Sequence, residues 1–136
     1  MASWKAKAKL LARSRSLAFT RDALAPFDPA PRSIRWRGMT LHYRPGSSDP
    51  WALYNHLMKP AERDEYAPPR ELPVARGEVR TVLDIGANVG ATALYFSRIF
   101  PQAAVYAFEP APDNFAVLRK NVANCARIRA FDFALG

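Results

Sequence analysis

The stretch VLDIGANVGATALYFS, residues 82–97, decides the fold of this chain. Its first four residues form an apolar, strand-like run that enters a loop containing Gly86 and Gly90. A helical pattern follows, because apolar side chains then recur at three- and four-residue spacing. A buried strand, a glycine-containing turn and a helix, in that order, begin a βαβ unit. The stretch therefore predicts an α/β fold.

The residues that follow repeat this alternation of strand and helix. Residues 79–85, 103–110 and 128–135 are predicted strands, and a second helix is predicted to begin at Pro112. Near-continuous apolar strands are typical of parallel sheets that are covered on both faces. Right-handed crossovers would place the three strands in the order 3-2-1. The pattern predicts the β-α-β-α-β half of a doubly wound, Rossmann-like sheet.

Three regions are predicted along the chain. Residues 1–37 form a basic N-terminal arm that is partly disordered. Residues 38–78 hold part of a small hairpin, which turns at Arg37-Gly38, then a short helix over residues 50–58 and a connector rich in proline and charge. Residues 79–136 form the predicted α/β unit.

The positive charge of the chain is concentrated in the arm. The net charge is +8, and residues 1–37 carry nine Lys or Arg against two acids. Such an arm could remain a solvated tail, contact anionic lipid or nucleic acid, or act as an organellar transit peptide. The composition indicates no specific nucleic-acid recognition. There is no apolar run of the roughly 18 residues that span a membrane, and we expect a cytoplasmic protein without a metal site.

The predicted binding site lies where the strands end, because ligands of doubly wound sheets bind at the carboxyl ends of the strands. The loop 84–90 follows the first strand, and Glu109 follows the second. Glu109 lies 19 residues beyond Gly90, close to the offset of about 20 residues for a ribose-binding acid. Asp84 would repel a pyrophosphate, but it suits the ammonium group of S-adenosylmethionine. The α-carboxylate of that ligand suits a helix N-terminus.

The motifs D-I-G-A-N-x-G (residues 84–90) and F-E-P-x-P-x-N-F (residues 108–115), with a final ALG, resemble the FkbM family of S-adenosylmethionine-dependent methyltransferases. The resemblance covers about residues 79–136. It implies the first half of a Rossmann-like class I methyltransferase fold. It also implies methyl transfer from S-adenosylmethionine, in this family commonly to a hydroxyl oxygen of a small molecule, sugar or lipid.

The family's cofactor-binding positions carry over residue by residue. Those that surround the methionine part of the cofactor are Asp84, Gly86, Ala87, Asn88 and Gly90. The resemblance assigns Glu109 to the ribose, Pro110 to the turn beneath it, and Asp132 or Ala134 to the adenine edge. Asn88 either binds the cofactor or stabilises the loop. No catalytic base is assigned.

The chain departs from the family in length, because family members continue through further strands beyond the position of Gly136. We therefore expect a fragment that carries the cofactor-binding half, with the acceptor pocket and any base outside it. Two other functions remain open. One is an NAD-type oxidoreductase, which would need the G-x-G-x-x-G motif that the loop lacks. The other is a non-catalytic remnant whose basic arm binds an anionic partner.

Overall fold

The computed structural model describes residues 3–68 and 74–135. The chain forms two compact units, Met1–Lys59 and Pro60–Gly136. This division differs from the predicted boundaries after residues 37 and 78, because the predicted arm and the hairpin belong to the same unit.

Within residues 3–59, the first unit contains three helices and one hairpin. Its elements are α1 (Trp4–Ser14), α2 (Leu17–Asp22), β1 (Arg32–Trp36), β2 (Met39–Tyr43) and α3 (Asp49–Leu53), followed by a π-helical turn (Tyr54–Met58). The hairpin is confirmed: β1 and β2 pair antiparallel, with Trp36 opposite Met39. Arg37 and Gly38 have φ values of 46° and 81°, and a two-residue hairpin loop commonly has positive φ at both positions.

The described part of the predicted arm, residues 3–37, contains α1, α2 and β1. Leu10 of α1 and Phe19 of α2 are fully buried. Asp22, at the end of α2, accepts hydrogen bonds from the hydroxyl of Tyr43 at 3.0 Å and from Arg32 at 2.7 Å. These contacts join residues far apart in the sequence, so helix periodicity alone could not indicate them.

The short helix predicted over residues 50–58 is present but changes its geometry halfway. It begins as α3, and the main-chain N–H of Lys59 then donates to the carbonyl of Tyr54 at 3.1 Å. A bond across five residues defines a π-helical turn. Asp49, the first residue of α3, is fully buried and pairs with Arg44 through an N···O distance of 2.7 Å. That pair ties the start of the helix to the end of the hairpin.

The second unit has a parallel sheet with two crossover helices. After a short 3-10 turn (Ala61–Arg63), its elements are β3 (Thr81–Ile85), α4 (Ala91–Ile99), β4 (Ala104–Phe108), α5 (Pro112–Val122) and β5 (Ile128–Phe131). The strands are parallel, and the order in the sheet is β3-β4-β5. The predicted mixed α/β unit with three parallel strands is therefore confirmed.

The burial of β3 alternates along the strand. Asp84 is 7% exposed, whereas Leu83 and Ile85 are 57% and 64% exposed. The expectation of a strand buried on both faces is wrong for β3 within the described residues. Right-handed crossovers place α4 and α5 on the same side of the sheet, so they cover only one face. The central strand β4 is better covered, with Val105 and Ala107 fully buried.

Candidate functional site

The candidate site is formed by two loops at the carboxyl ends of neighbouring strands. Residues 86–90 follow β3, residues 109–111 follow β4, and the last residues of these strands, Ile85 and Phe108, pair in register. The main-chain N–H groups of Gly86 and Ala87 both donate to the carbonyl of Phe108 at 2.9 Å. The first loop is therefore fixed against the end of the next strand.

The first loop has three residues with left-handed backbone conformations. Gly86, Asn88 and Gly90 have φ values of 80°, 49° and 83°. Glycine adopts such angles without steric cost, and asparagine is among the few other residues that tolerate them. A Cβ on Gly90 would lie 3.3 Å from Cγ1 of Val122 and 3.4 Å from Cγ of Leu118. Gly90 thus allows both the turn and the close approach of α5 to the start of α4.

Glu109 connects the two loops. Its Oε2 accepts a hydrogen bond from the main-chain N–H of Asn88 at 2.8 Å, and its Oε1 accepts one from the N–H of Ala111 at 2.9 Å. The side-chain amide of Asn114 lies at 3.4 Å from Oε1. Glu109 is only 5% exposed. Sequence reasoning predicted this carboxylate at the site but missed its role as a clamp between the loops.

Asp84 is the second buried carboxylate of the site. It is the fourth residue of β3, and its Oδ2 accepts a hydrogen bond from the hydroxyl of Thr92 at 2.7 Å. Thr92 is the second residue of α4, so the bond joins the end of the strand to the first turn of the helix. Sequence reasoning missed Thr92. A hydroxyl-bearing residue two positions after the second glycine was the available signal.

The loop is also supported from α5. The side-chain amide of Asn121 donates to the carbonyl of Val89 at 2.8 Å, and Val89 is fully buried. This contact satisfies a carbonyl that the turn removes from water. Asn121 lies 32 residues beyond Val89 in the chain, so no local sequence pattern gave a reason to select it.

The other predicted site residues differ in exposure. Ala87 is 1% exposed, and Pro110 is exposed. Asp132 and Ala134 are both exposed and lie beyond Phe131, the last residue of β5. The structure therefore brings the residues of the two loops together and places Asp132 and Ala134 after the end of the third strand.

The electrostatic character of the site follows from its buried groups. Two carboxylates, Asp84 and Glu109, lie at the ends of adjacent strands, and the N-terminus of α4 begins immediately after Gly90. A helix N-terminus attracts negative groups, whereas carboxylates attract positive groups and hydroxyl donors. This arrangement suits a zwitterionic ligand with hydroxyls. Within residues 3–68 and 74–135, no group of three or more His, Cys, Asp and Glu could hold a metal ion.

Comparison with known proteins points to methyltransferases. No family model matches the chain. Methyltransferase sdnD of Sordaria araneosa is 50% identical over 42 residues, which are 31% of this chain and 16% of that protein. Methyltransferase 1 of Beauveria bassiana (strain ARSEF 2860) is 37% identical over 57 residues, which are 40% of this chain and 23% of that protein. The chain therefore spans a small part of the curated relatives it matches, and over that part it is similar to methyltransferases.

Proposed function

We propose that residues 79–136 are the S-adenosylmethionine-binding half of a methyltransferase, with the first half of a Rossmann-like class I fold as in the FkbM family. The observation that carries this proposal is the pair of buried carboxylates, Asp84 and Glu109, held at the ends of adjacent parallel strands beside a helix N-terminus. The similarity to two proteins named methyltransferases supports the same chemistry.

The methionine part of the cofactor fits the loop after β3. The carboxylate of Asp84 is an acceptor for the α-ammonium group, and the first turn of α4 offers main-chain N–H groups to the α-carboxylate. The hydroxyl of Thr92 holds one oxygen of Asp84 at 2.7 Å. The orientation of this carboxylate is thus set before a ligand arrives, which lowers the entropy lost on binding.

The ribose part fits Glu109. A carboxylate oxygen accepts two hydrogen bonds, and Oε2 of Glu109 accepts one, from the N–H of Asn88. The remaining acceptor position is available to a ribose hydroxyl. Asn88 would then act through its main chain, as a support for the ribose ligand, and Pro110 would shape the turn. Asp132 or Ala134 would contact the adenine edge.

S-adenosylmethionine, when bound, supplies an electrophilic methyl group. The residues of this chain bind and orient the cofactor, and methyl transfer depends strongly on such alignment with the attacking oxygen. We propose that the acceptor is a hydroxyl-bearing small molecule, sugar or lipid. The chain spans only a small part of the methyltransferases it is similar to, and none of its residues is proposed as a general base.

The NAD-type alternative is disfavoured by the same geometry. A pyrophosphate at the loop after β3 would lie beside Asp84, which is buried at 7% exposure. Two negative groups in a poorly hydrated site repel each other strongly. The motif G-x-G-x-x-G is also absent, because Asn88 occupies the position of its middle glycine.

The experiment is calorimetric titration of the chain with S-adenosylhomocysteine and, separately, with NAD⁺. We expect binding of the first ligand only. Asp84→Asn should weaken that binding by about 10- to 150-fold, equivalent to roughly 1.5–3 kcal/mol for a hydrogen bond to a charged group. Asn retains an oxygen acceptor for Thr92, so the fold should persist.

Asp113→Asn is the matched control, because it removes the same charge from an exposed position on α5. Its affinity for S-adenosylhomocysteine should equal that of the unmodified chain. An Asp84→Asn variant with unchanged affinity, or NAD⁺ binding as tightly as S-adenosylhomocysteine, would contradict the proposed function.

A further inference from the structure

Helix α1 is held to the first unit by one of its sides. Leu10 is fully buried, and Ser14, four residues later, is 4% exposed. The guanidinium of Arg13 donates to the carbonyl of Met58 at 3.3 Å, and the indole N–H of Trp36 donates to the carbonyl of Arg13 at 3.2 Å. The orientation of the helix about its own axis is therefore fixed.

The opposite side of α1 presents an apolar stripe to solvent. Trp4, Ala8 and Ala12 follow one another at four-residue spacing, which places them on one side of a helix. All three are exposed, and Trp4 is 73% exposed. Leu11, three residues after Ala8, adjoins the stripe and is half-buried. A tryptophan this exposed makes little contribution to the core of its own unit.

Lysines border this stripe on both sides. Lys5 and Lys9 each follow a stripe residue by one position, and Lys7 lies on the other flank, since it precedes Ala8 and Leu11 by one and four residues. All three are exposed and make no ion pair among the described residues. The two acids of the first 37 residues, Asp22 and Asp28, both pair with Arg32. The charge of the lysines is therefore available to a partner.

We propose that this exposed side of α1, defined by Trp4, Lys5, Lys7, Ala8, Lys9, Leu11 and Ala12, is a contact surface for an anionic lipid bilayer. An exposed tryptophan flanked by lysines matches both the apolar and the charged parts of such a membrane surface. The indole enters the interface, and the ammonium groups contact the lipid phosphates and carboxylates.

The length of α1 fixes its orientation on the membrane. The helix has 11 residues, so it is about 16 Å long, and no helix among the described residues is long and apolar enough to cross a bilayer. It would lie in the plane of the surface. A nucleic acid would contact the lysines but would leave the aliphatic side chains of the stripe in water. A lipid surface would contact both the lysines and the apolar stripe, so the exposed residues favour lipid.

The test is co-sedimentation of the chain with vesicles of phosphatidylcholine alone and with vesicles that contain about one-third phosphatidylserine. We expect binding to the second kind only, with a blue shift of tryptophan emission. Trp4→Ala should weaken binding by about tenfold and remove most of the shift. Reversal of the three lysines (K5E/K7E/K9E) should weaken it by at least about 100-fold, since each cation contributes about fivefold.

A charge-matched control separates a local surface from a general effect of positive charge. The variant R76E/R119E/K120E changes the net charge equally at exposed positions of the second unit and should bind the vesicles as the unmodified chain does. Equal loss in both triple variants, unchanged binding in Trp4→Ala, or tighter binding to a DNA duplex of similar charge would overturn the assignment to lipid. Circular dichroism of each variant would verify its fold.

Discussion

Replacing Glu109 by glutamine should destabilise the second unit, although the two side chains have nearly the same shape. Both oxygens of Glu109 accept main-chain hydrogen bonds, at 2.8 Å from Asn88 and at 2.9 Å from Ala111. A glutamine amide has one acceptor oxygen and one group that only donates. Whichever way it turns, one of these N–H groups faces a donor in a site where the side chain is 5% exposed.

The expected magnitude follows from that single unsatisfied group. A buried donor without a partner costs about 1–3 kcal/mol, and the lost carboxylate charge places the loss toward the upper part of this range. If the amide NH₂ turns toward Asn88, the contacts from Ala111 and Asn114 can persist. The variant should therefore lose the free energy of one charge-assisted hydrogen bond and keep the other hydrogen bonds of the clamp.

Urea unfolding of Glu109→Gln and of the unmodified chain measures this difference. Amide hydrogen exchange at Asn88 and Ala111 reports on the two loops directly, and protection should fall at one of the two amides. Glu78→Gln is the control, since it makes the same chemical change at an exposed position and should alter stability by less than about 0.5 kcal/mol. A loss in Glu109→Gln no larger than in Glu78→Gln, with both amides still protected, would refute the clamp.

Two further predictions concern stability. Gly90→Ala should cost more than Gly86→Ala in urea unfolding: both have φ near 80°, but only at Gly90 would the Cβ press against a side chain, that of Val122 at 3.3 Å. At both positions, alanine in the left-handed backbone conformation should lower the free energy of unfolding by about 1–2 kcal/mol. Equal losses in the two variants would contradict the added effect of packing at Gly90. Burial and the hydrogen bond to Asp22 raise the pKa of Tyr43 above its ordinary value. Its contribution to stability is therefore complete below about pH 10 and lost as the pH rises further. Tyr43→Phe should lower the melting temperature at neutral pH and flatten its decline in alkali, and an unchanged alkaline decline would contradict this assignment.

The fold of the second unit could be predicted from the sequence because the patterns that indicate it are local. Each of its signals acts over a few residues: the apolar strands, the glycine loop and Pro112 at the first turn of α5. The rule that ligands bind at strand ends then selected Asp84 and Glu109 as candidate site residues. The hydrogen bonds by which Glu109 joins the two loops could not be predicted from the sequence. It depends on the distance between two loops about 20 residues apart in the chain, which only the paired ends of β3 and β4 establish.

The fold of the first unit was harder to predict because it is stabilised by contacts between residues that are distant in the sequence. Residues 1–37 carry nine Lys or Arg against two acids, so a partly disordered basic arm was expected. In the structure, Leu10 and Phe19 are fully buried. Asp22 accepts a hydrogen bond from the hydroxyl of Tyr43, which is 21 residues away in the sequence. Long-range contacts of this kind have no periodicity that a sequence pattern could show.

The most direct test of the proposed binding site is a titration of the isotope-labelled chain with S-adenosylhomocysteine, monitored through the amide chemical shifts. We predict saturable changes concentrated in residues 84–90 and 109–111, with smaller changes at Asp132, and no such response to NAD⁺. Shifts that stay unchanged at millimolar ligand, or changes that lie away from the ends of β3 and β4, would contradict the claim that these loops bind S-adenosylmethionine.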